Sequence, residues 1–291
     1  MKITNAFNLP QSLVKACDTE KHNKPGELSA TTLLQGAKQI VLTDRHWDEL
    51  EDDVVNRVWA LFGTAVHKLL EESNPNSFTE ESFAHKVLGK TITGRVDLYD
   101  MAEKTLTDYK TASVWKYIFK TYDDWKKQGL IYAWLMREDG LIVEKCRFVA
   151  MFRDWSQTEA DRKPDYPQSQ VFVYEFKVTE NDLDEIEKYI KGKVAEVEAA
   201  ETIKDDDIEP CSALERWDRP STYAVMKKGR KTAVRKFDTK EDADKLAKES
   251  GEDYSVVERK GKSVRCEGYC PCREFCSYWK SLQKEAEKCE D

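Results

Sequence analysis

The sequence predicts an α/β protein: a mixed central β-sheet flanked by helices, followed by a small, cysteine-bearing β-rich module. Three observations predict it. Over residues 52–73, Val54, Val55, Val58, Leu61, Phe62, Ala65, Val66, Leu69 and Leu70 recur at steps of three and four, the period of an amphipathic helix. That helix is followed by β-prone runs at 83–88, 91–98 and 105–110, a helical stretch, two more runs at 145–152 and 170–178, and a charged helix at 180–204, an order that reads as α/β with a mixed sheet. Beyond Asp205-Asp206-Asp207 the chain turns to short β runs, a basic turn and clustered cysteines, which marks a boundary. The expected divisions are a lead-in at 1–28, a core at 29–204 and a module at 205–291.

Composition sets the bounds. A chain of 291 residues makes one large domain or two small ones. With 40% hydrophobic residues and eight tryptophans it can bury a real core. The net charge of −8 excludes a surface coated in basic residues, but not local basic clusters. No run of about 18 apolar residues occurs, so no membrane span is expected. The N-terminal stretch lacks the apolar run of a signal peptide. The expected setting is therefore intracellular and cytoplasmic, where thiols stay reduced. Eight cysteines then suggest a metal or cluster rather than disulfides.

Taken in order, residues 1–28 are mixed and polar, with Lys24-Pro25-Gly26 as a breaker. Residues 29–34 (SATTLL) look like a helix start, with hydroxyls placed before apolar residues. In the helix at 52–73, His67 stands one residue past Val66, with Glu71 one turn further on the same side. A lone histidine is ordinarily a helix-surface residue, and His22, His46 and His85 have no setting comparable to that of His67. The runs at 91–98 and 105–110 are joined by a polar turn. The first carries Asp97; the second carries Asp108 and Lys110, which project the same way because strand side chains alternate. A hairpin brings Asp97 beside them. Two carboxylates and a lysine on neighbouring strands form a site for a hard divalent cation with an amine at its rim.

The stretch at 111–127 is amphipathic and rich in aromatics (Trp115, Tyr117, Phe119, Tyr122, Trp125), read as core rather than as a base-stacking platform. Gln128 and Tyr132 are four apart and share one helix face. Cys146 reads as a small core residue. The helix at 180–204 carries Leu183, Ile186, Tyr189, Ile190, Val194 and Val197 on one face. In the module, β runs at 222–226 and 232–237 surround a turn at 227–231, a helix covers 238–250, and a further β run covers 254–258.

An Asp followed at this interval by Asp-x-Lys resembles the PD-(D/E)XK nuclease superfamily. GTAVHKLLE at 63–71 resembles the G-x-x-x-H helix that precedes the acidic hairpin in its RecB-like exonucleases, and Gln128 with Tyr132 matches the Q-x-x-x-Y element that follows D-x-K. The resemblance covers roughly 29–204 and implies a restriction-endonuclease-like core. It implies that His67, Asp97, Asp108 and the carbonyl of Tyr109 hold one or two Mg²⁺ or Mn²⁺ ions, with Glu71 or Glu81 as a further carboxylate. Lys110 would orient or deprotonate the attacking water and stabilise the transition state. Gln128 and Tyr132 would contact DNA or orient the catalytic groups.

Residues 266–276 read CEGYCPCREFC. Cys266, Cys270 and Cys276 resemble the C-terminal three-cysteine clasp of iron–sulfur exonucleases of the RecB and CRISPR-associated type, found in phages and prokaryotes. In those proteins a fourth cysteine precedes the nuclease core, whereas here that position shows Gly36 and Ala37. Cys211 is the favoured fourth ligand; Cys272 is the alternative, although only Pro271 separates it from Cys270. Four thiolates suit structural zinc as well as a [4Fe–4S] cluster, and the resemblance implies the cluster. Cys17 and Cys289 are expected to stand outside the set.

Lys227, Lys228, Arg230, Lys231, Arg235 and Lys236 occur with no acid between 222 and 236, a candidate phosphate-contacting hairpin whose plainer reading is a solvated turn. The expected function is a metal-dependent DNA exonuclease acting on single strands or duplex ends, in recombination, repair or phage DNA processing. A non-catalytic DNA-binding or scaffold subunit and a structure-specific endonuclease are the alternatives. No Walker-type motif occurs, so a helicase partner would be a separate chain.

Overall fold

The computed structural model of the chain describes residues 1–18, 24–73 and 78–287. They fall into two compact units, Met1–Lys204 and Asp205–Asp291. The first unit runs β1 (Lys2–Thr4), α1 (Gln11–Cys17), β2 (Glu27–Ser29), α2 (Ala37–Arg45), β3 (Glu51–Asp53), α3 (Val54–Glu72), β4 (Phe78–Val87), β5 (Lys90–Asp100), β6 (Thr105–Ala112), α4 (Val114–Ile118), α5 (Asp123–Glu138), β7 (Lys145–Phe152), α6 (Gln157–Arg162), β8 (Val171–Lys177) and α7 (Glu180–Glu201).

A six-stranded mixed sheet forms its centre, in the order β2-β5-β6-β7-β8 with β4 paired to β5. The β2–β5 and β6–β7 pairs are parallel; β4–β5, β5–β6 and β7–β8 are antiparallel. The parallel β6–β7 pair needs a long crossover, and α4 and α5 supply it. Strand β4 lies along β5 from Lys90 to Tyr99. A strand has two edges, so β2 and β6 must share the other one. Strand β2 takes residues 91–93 and β6 takes only 98–100. The stretch of β5 between them, residues 94–97, has no ladder partner on that edge.

Helix α5 is the buried spine of this unit. From Gln128 to Met136 every residue is buried, and the helix packs against β5, β7 and α7. A helix that is apolar nearly all round belongs inside a core. Its neighbours there include Ile92, Leu106, Phe148 and Ile190, each fully buried. Helix α7 is held at its start by a capping box between Thr179 and Asp182.

Several boundaries differ from the sequence expectation. The lead-in contributes β1, α1 and β2, and β2 belongs to the central sheet. Residues 29–34 do not begin a long helix: Thr32–Leu34 make one 3₁₀ turn, and α2 starts after Gly36 without a side-chain cap. The stretch at 111–127 is split between α4 and α5, because Lys120 takes a left-handed conformation (φ 51°) and ends the first helix. The loop at 153–167 contains α6, capped by Ser156. Helix α3 exists as expected, but part of its apolar face is open: Trp59, Phe62 and Leu69 are exposed.

The second unit contains α8 (Ala213–Arg216), β9 (Asp218–Arg219), β10 (Thr222–Lys227), β11 (Arg235–Phe237), α9 (Lys240–Ser250), β12 (Tyr254–Arg259), β13 (Lys262–Ser263), α10 (Val264–Gly268) and α11 (Ser277–Glu287). Strands β11, β10 and β12 form an antiparallel sheet in that order. Its core is Val225, Ala243 and Ala247, packed with Phe237, Leu246 and Val256. Among the described residues, no helix is long and apolar enough to cross a membrane.

Gly94 is where α5 comes closest to β5. A Cβ there would stand 2.7 Å from Leu135 Cδ1 and 2.9 Å from Tyr132 Cδ1, well inside van der Waals contact. Gly94→Val should therefore destabilise the first unit by about 1–3 kcal/mol, read as a lowered Tm in calorimetry. An unchanged Tm would show that α5 is free to move away from β5.

Candidate active site

The unpartnered stretch of β5 ends at Asp97, and the site is built there. The β5–β6 ladder closes at Leu98 and Thr107. Just beyond it, the backbone N–H of Tyr109 donates to Asp97 Oδ2 at 2.7 Å. A side-chain carboxylate thus takes the hydrogen bond that a strand carbonyl would otherwise accept. Its other oxygen, Asp97 Oδ1, lies 3.0 Å from His67 Nδ1 on α3. Gly63, one turn before His67, faces β6: a Cβ there would be 3.5 Å from Thr111 Oγ1, ordinary contact.

On β6, Lys110 Nζ is 2.7 Å from Asp108 Oδ2, as two residues on one face of a strand allow. From α5, Gln128 Nε2 donates to Tyr132 OH at 2.9 Å and lies 3.5 Å from Asp108 Oδ1. Gln128, Tyr132 and Asp108 are all buried. These contacts form two sets, His67–Asp97–Tyr109 and Lys110–Asp108–Gln128–Tyr132, joined through the backbone of β6. Glu81 is exposed on β4, opposite Val96. The side chain of Glu71 lies outside the described residues, as do His22 and Cys289. His46 pairs with Glu49, and His85 meets Glu138 and the edge of Trp134.

The electrostatics of this set are unbalanced. Burial pushes the Asp108 carboxyl above its ordinary range; the charge of Lys110 opposes this and that of Asp97 adds to it. Asp108 Oδ2 is buried, and its partner is the Lys110 ammonium at 2.7 Å. His67 is raised, first by its hydrogen bond to Asp97 and against the effect of burial. One imidazole and two carboxylates, that of Asp108 buried, are donors of the type a divalent cation takes. Among the described residues, no three His, Cys, Asp or Glu side chains already stand in metal-ligand geometry. His67 is instead bonded to Asp97, and Asp108 is paired with Lys110.

In the second unit, burial and then the charges of Cys270, Cys276 and Cys211 push the Cys266 thiol up to about 11. Cys270 and Cys272 stand 3.6 Å apart, sulfur to sulfur. Cys272 is buried, whereas Cys211, Cys266, Cys270 and Cys276 are partly accessible. Cys17 and Cys146 are core residues. Lys227 closes β10 with its ammonium 5.6 Å from the Tyr254 ring centroid, and Lys228, Arg230 and Lys231 stand exposed in the turn around Gly229, whose φ is 79°.

Sequence reasoning misplaced two of the aromatics it assigned to the core. Trp115 and Phe119 are exposed and stacked on each other, whereas Trp125 is buried. Arg153, which no motif marked, covers the Trp59 ring at 5.0 Å.

No protein-family model matches the chain, and no curated protein matches it significantly. Solved structures give weak likenesses. The protein SSO0001 is 20% identical over 64% of this chain and 82% of its own, with a TM-score of 0.42. The alkaline exonuclease LHK-Exo from Laribacter hongkongensis is 15% identical over 60% of this chain and 89% of its own, with a TM-score of 0.40. A phage-related exonuclease from Haemophilus somnus 129PT is 15% identical over 64% of this chain and 93% of its own, with a TM-score of 0.34. At this level the likeness says nothing about the chemistry of this chain, which rests on its own residues.

The raised Asp108 value carries a sign. A carboxyl whose folded-state value lies above its ordinary 3.8 adds stability at acid pH and loses it as pH rises through that folded value. Asp108→Asn removes the charge and with it this loss. At pH 7 in EDTA the variant should melt above wild type, by roughly 2–4 °C for each kcal/mol relieved, and the gap should close towards pH 4. Equal Tm values across this range would show that the Asp108 charge is not penalised.

Proposed function

We propose that the chain is a metal-dependent nuclease of PD-(D/E)XK type that hydrolyses DNA phosphodiester bonds. The observation that carries this reading is the contact set at the β5–β6 opening, where Asp97 bonds His67 and the Tyr109 N–H while buried Asp108, next to Tyr109 on the same strand, pairs with Lys110. A bound Mg²⁺ or Mn²⁺ supplies Lewis-acid stabilisation of the phosphate charge and a water of lowered pKa. His67, Asp97, Asp108 and the Tyr109 carbonyl are the residues that would hold it, with neutral imidazole and ionised carboxylates as the binding forms.

The chain's own groups do the rest. The Tyr109 N–H fixes one oxygen of Asp97 and so sets the direction of the other. Gln128, anchored on Tyr132, orients Asp108. Lys110 pairs with Asp108 in the resting site; with that carboxylate engaged elsewhere, its ammonium is free to donate to a phosphate oxygen as charge builds in the transition state. Mobile loops would place such groups poorly, and here they stand on two strands and a buried helix.

For the second unit, the reading is that Cys211, Cys266, Cys270 and Cys276 hold a [4Fe–4S] cluster or a zinc ion, supported by the charges of Cys270, Cys276 and Cys211 acting on the Cys266 thiol. The basic turn at Lys227, Lys228, Arg230 and Lys231 would contact phosphates. A role in recombination, repair or phage DNA processing, with a helicase or recombination partner, belongs to the same reading.

The test is digestion of end-labelled linear single strands, blunt duplexes and closed circles in Mn²⁺ or Mg²⁺. Wild type should degrade linear DNA, and Asp108→Ala and Lys110→Ala should each lose about 10²–10³-fold in rate. Cutting of circles would make the enzyme an endonuclease. Undiminished activity in either variant would sink the proposed site, and DNA binding without hydrolysis by cation-loaded wild type would make the chain a binding subunit.

A further inference from the structure

We propose that Trp59 and Phe62 on α3, with Trp115 and Phe119 on α4, form a platform on which the bases of a single-stranded DNA stack as its backbone approaches the candidate active site. The proposal rests on the nuclease reading and gives it a substrate class.

These four rings are the anomaly of the first unit. Trp59 is 48% exposed, Phe62 54%, Trp115 56% and Phe119 63%. Large aromatics are normally drawn into a core, as Trp125 and Trp134 are here. Instead they stand in two solvent-facing pairs: Trp59 and Phe62 with centroids 5.5 Å apart, and Trp115 and Phe119 also 5.5 Å apart with planes only 22° from parallel.

Both pairs lie on elements that carry or directly continue the candidate site. Helix α3 bears His67, and Trp59, Gly63 and His67 follow one another at four-residue steps. The step of eight residues from Trp59 to His67 spans about 12 Å of helix, or about three to four nucleotides of a strand stacked at about 3.4 Å each. Strand β6 bears Asp108 and Lys110 and leads after Ala112 into the Ser113 cap of α4. Arg153 joins the two ends: its backbone N–H donates to Ala112 O at 2.9 Å, and its guanidinium covers Trp59.

The charge around the rings selects the occupant. Arg153 is exposed and has no carboxylate partner among the described residues, and the same holds for Lys120, which ends α4. The nearby Asp154 is committed to the cap of α4, bonding Ser113 Oγ and the Val114 N–H. Aromatic faces beside unneutralised cations suit a polyanion with π faces. Bases held inside a duplex do not offer those faces, so the surface favours unpaired strands.

The test measures binding of fluorescein-labelled oligo(dT) and of a blunt duplex of equal length to the full chain in EDTA. Trp59→Ala and Trp115→Ala should each weaken oligo(dT) binding by roughly 5- to 100-fold, with a smaller effect on the duplex. Trp59→Phe and Trp115→Phe, which keep a π face, should bind within about threefold of wild type. Quenching of wild-type tryptophan fluorescence by oligo(dT) should disappear in the double Phe variant, a readout that does not depend on how the Ala variants fold. Unchanged oligo(dT) affinity in the Ala variants, or no oligo(dT) binding by wild type, overturns the platform. So does a wild-type dimer in sedimentation that these variants dissolve without loss of DNA affinity, which would assign the rings to a second copy of the chain. Cleavage of the same oligonucleotide by wild type in Mn²⁺ scores the nuclease reading separately. Cleavage with unaffected binding in the variants removes only the platform, and weakened binding without any cleavage by wild type removes only the nuclease.

Discussion

Everything at the candidate site depends on one substitution of hydrogen-bond partners: Asp97 accepts the Tyr109 N–H where a strand carbonyl would have done so. Antiparallel strands close their ladder residue by residue unless something intervenes. Here β2 already holds residues 91–93 of β5, and β6 reaches that edge only at Leu98. A backbone N–H left inside such an opening is costly unless satisfied, and the carboxylate satisfies it with a charge-assisted bond. The same bond ties the direction of Asp97 to the backbone of the strand that carries Asp108 and Lys110. The opening and the acidic cluster are thus one structural feature.

Asp108 shows what this arrangement costs. Its carboxylate is buried under the charge of Asp97, with one lysine to offset the cost of burial. A buried ion pair is a poor contributor to stability. Strain of this kind is found at functional sites, and the surrounding core supplies the offset: α5 is buried from Gln128 to Met136, and Gln128, bonded to Tyr132, lies against Asp108. Gly94 lets that helix come close enough to do so.

The second unit divides its work in a similar way. Its sheet and α9 make a small core from Val225, Ala243 and Ala247, and beyond Lys227 the basic turn lies outside the ladder and exposed. The thiols lie in a segment with little regular structure, where short turns rather than strands set their spacing. Arg216, bonded to Asp218 and to the carbonyl of Cys211, ties the first cysteine to the strand pair that precedes the others.

The sequence by itself determined the element types and which of the site residues share a strand or helix face. Period decides helix against strand, so α3, β7 and α7 were legible almost to their ends, and Asp108 and Lys110 share a face because strands alternate. Local backbone geometry was harder to read: the left-handed Lys120 divides a stretch whose pattern is continuous, and Gly36 delays α2. Only the tertiary structure decided what lies against what. No pattern in the chain says that β2 and β6 share an edge of β5, that Asp97 bonds a backbone N–H rather than another side chain, or that Trp115 and Phe119 face solvent while Trp125 is buried. The physical reason is that periodicity reports which residues could be buried, whereas burial itself depends on whether another element arrives to cover them.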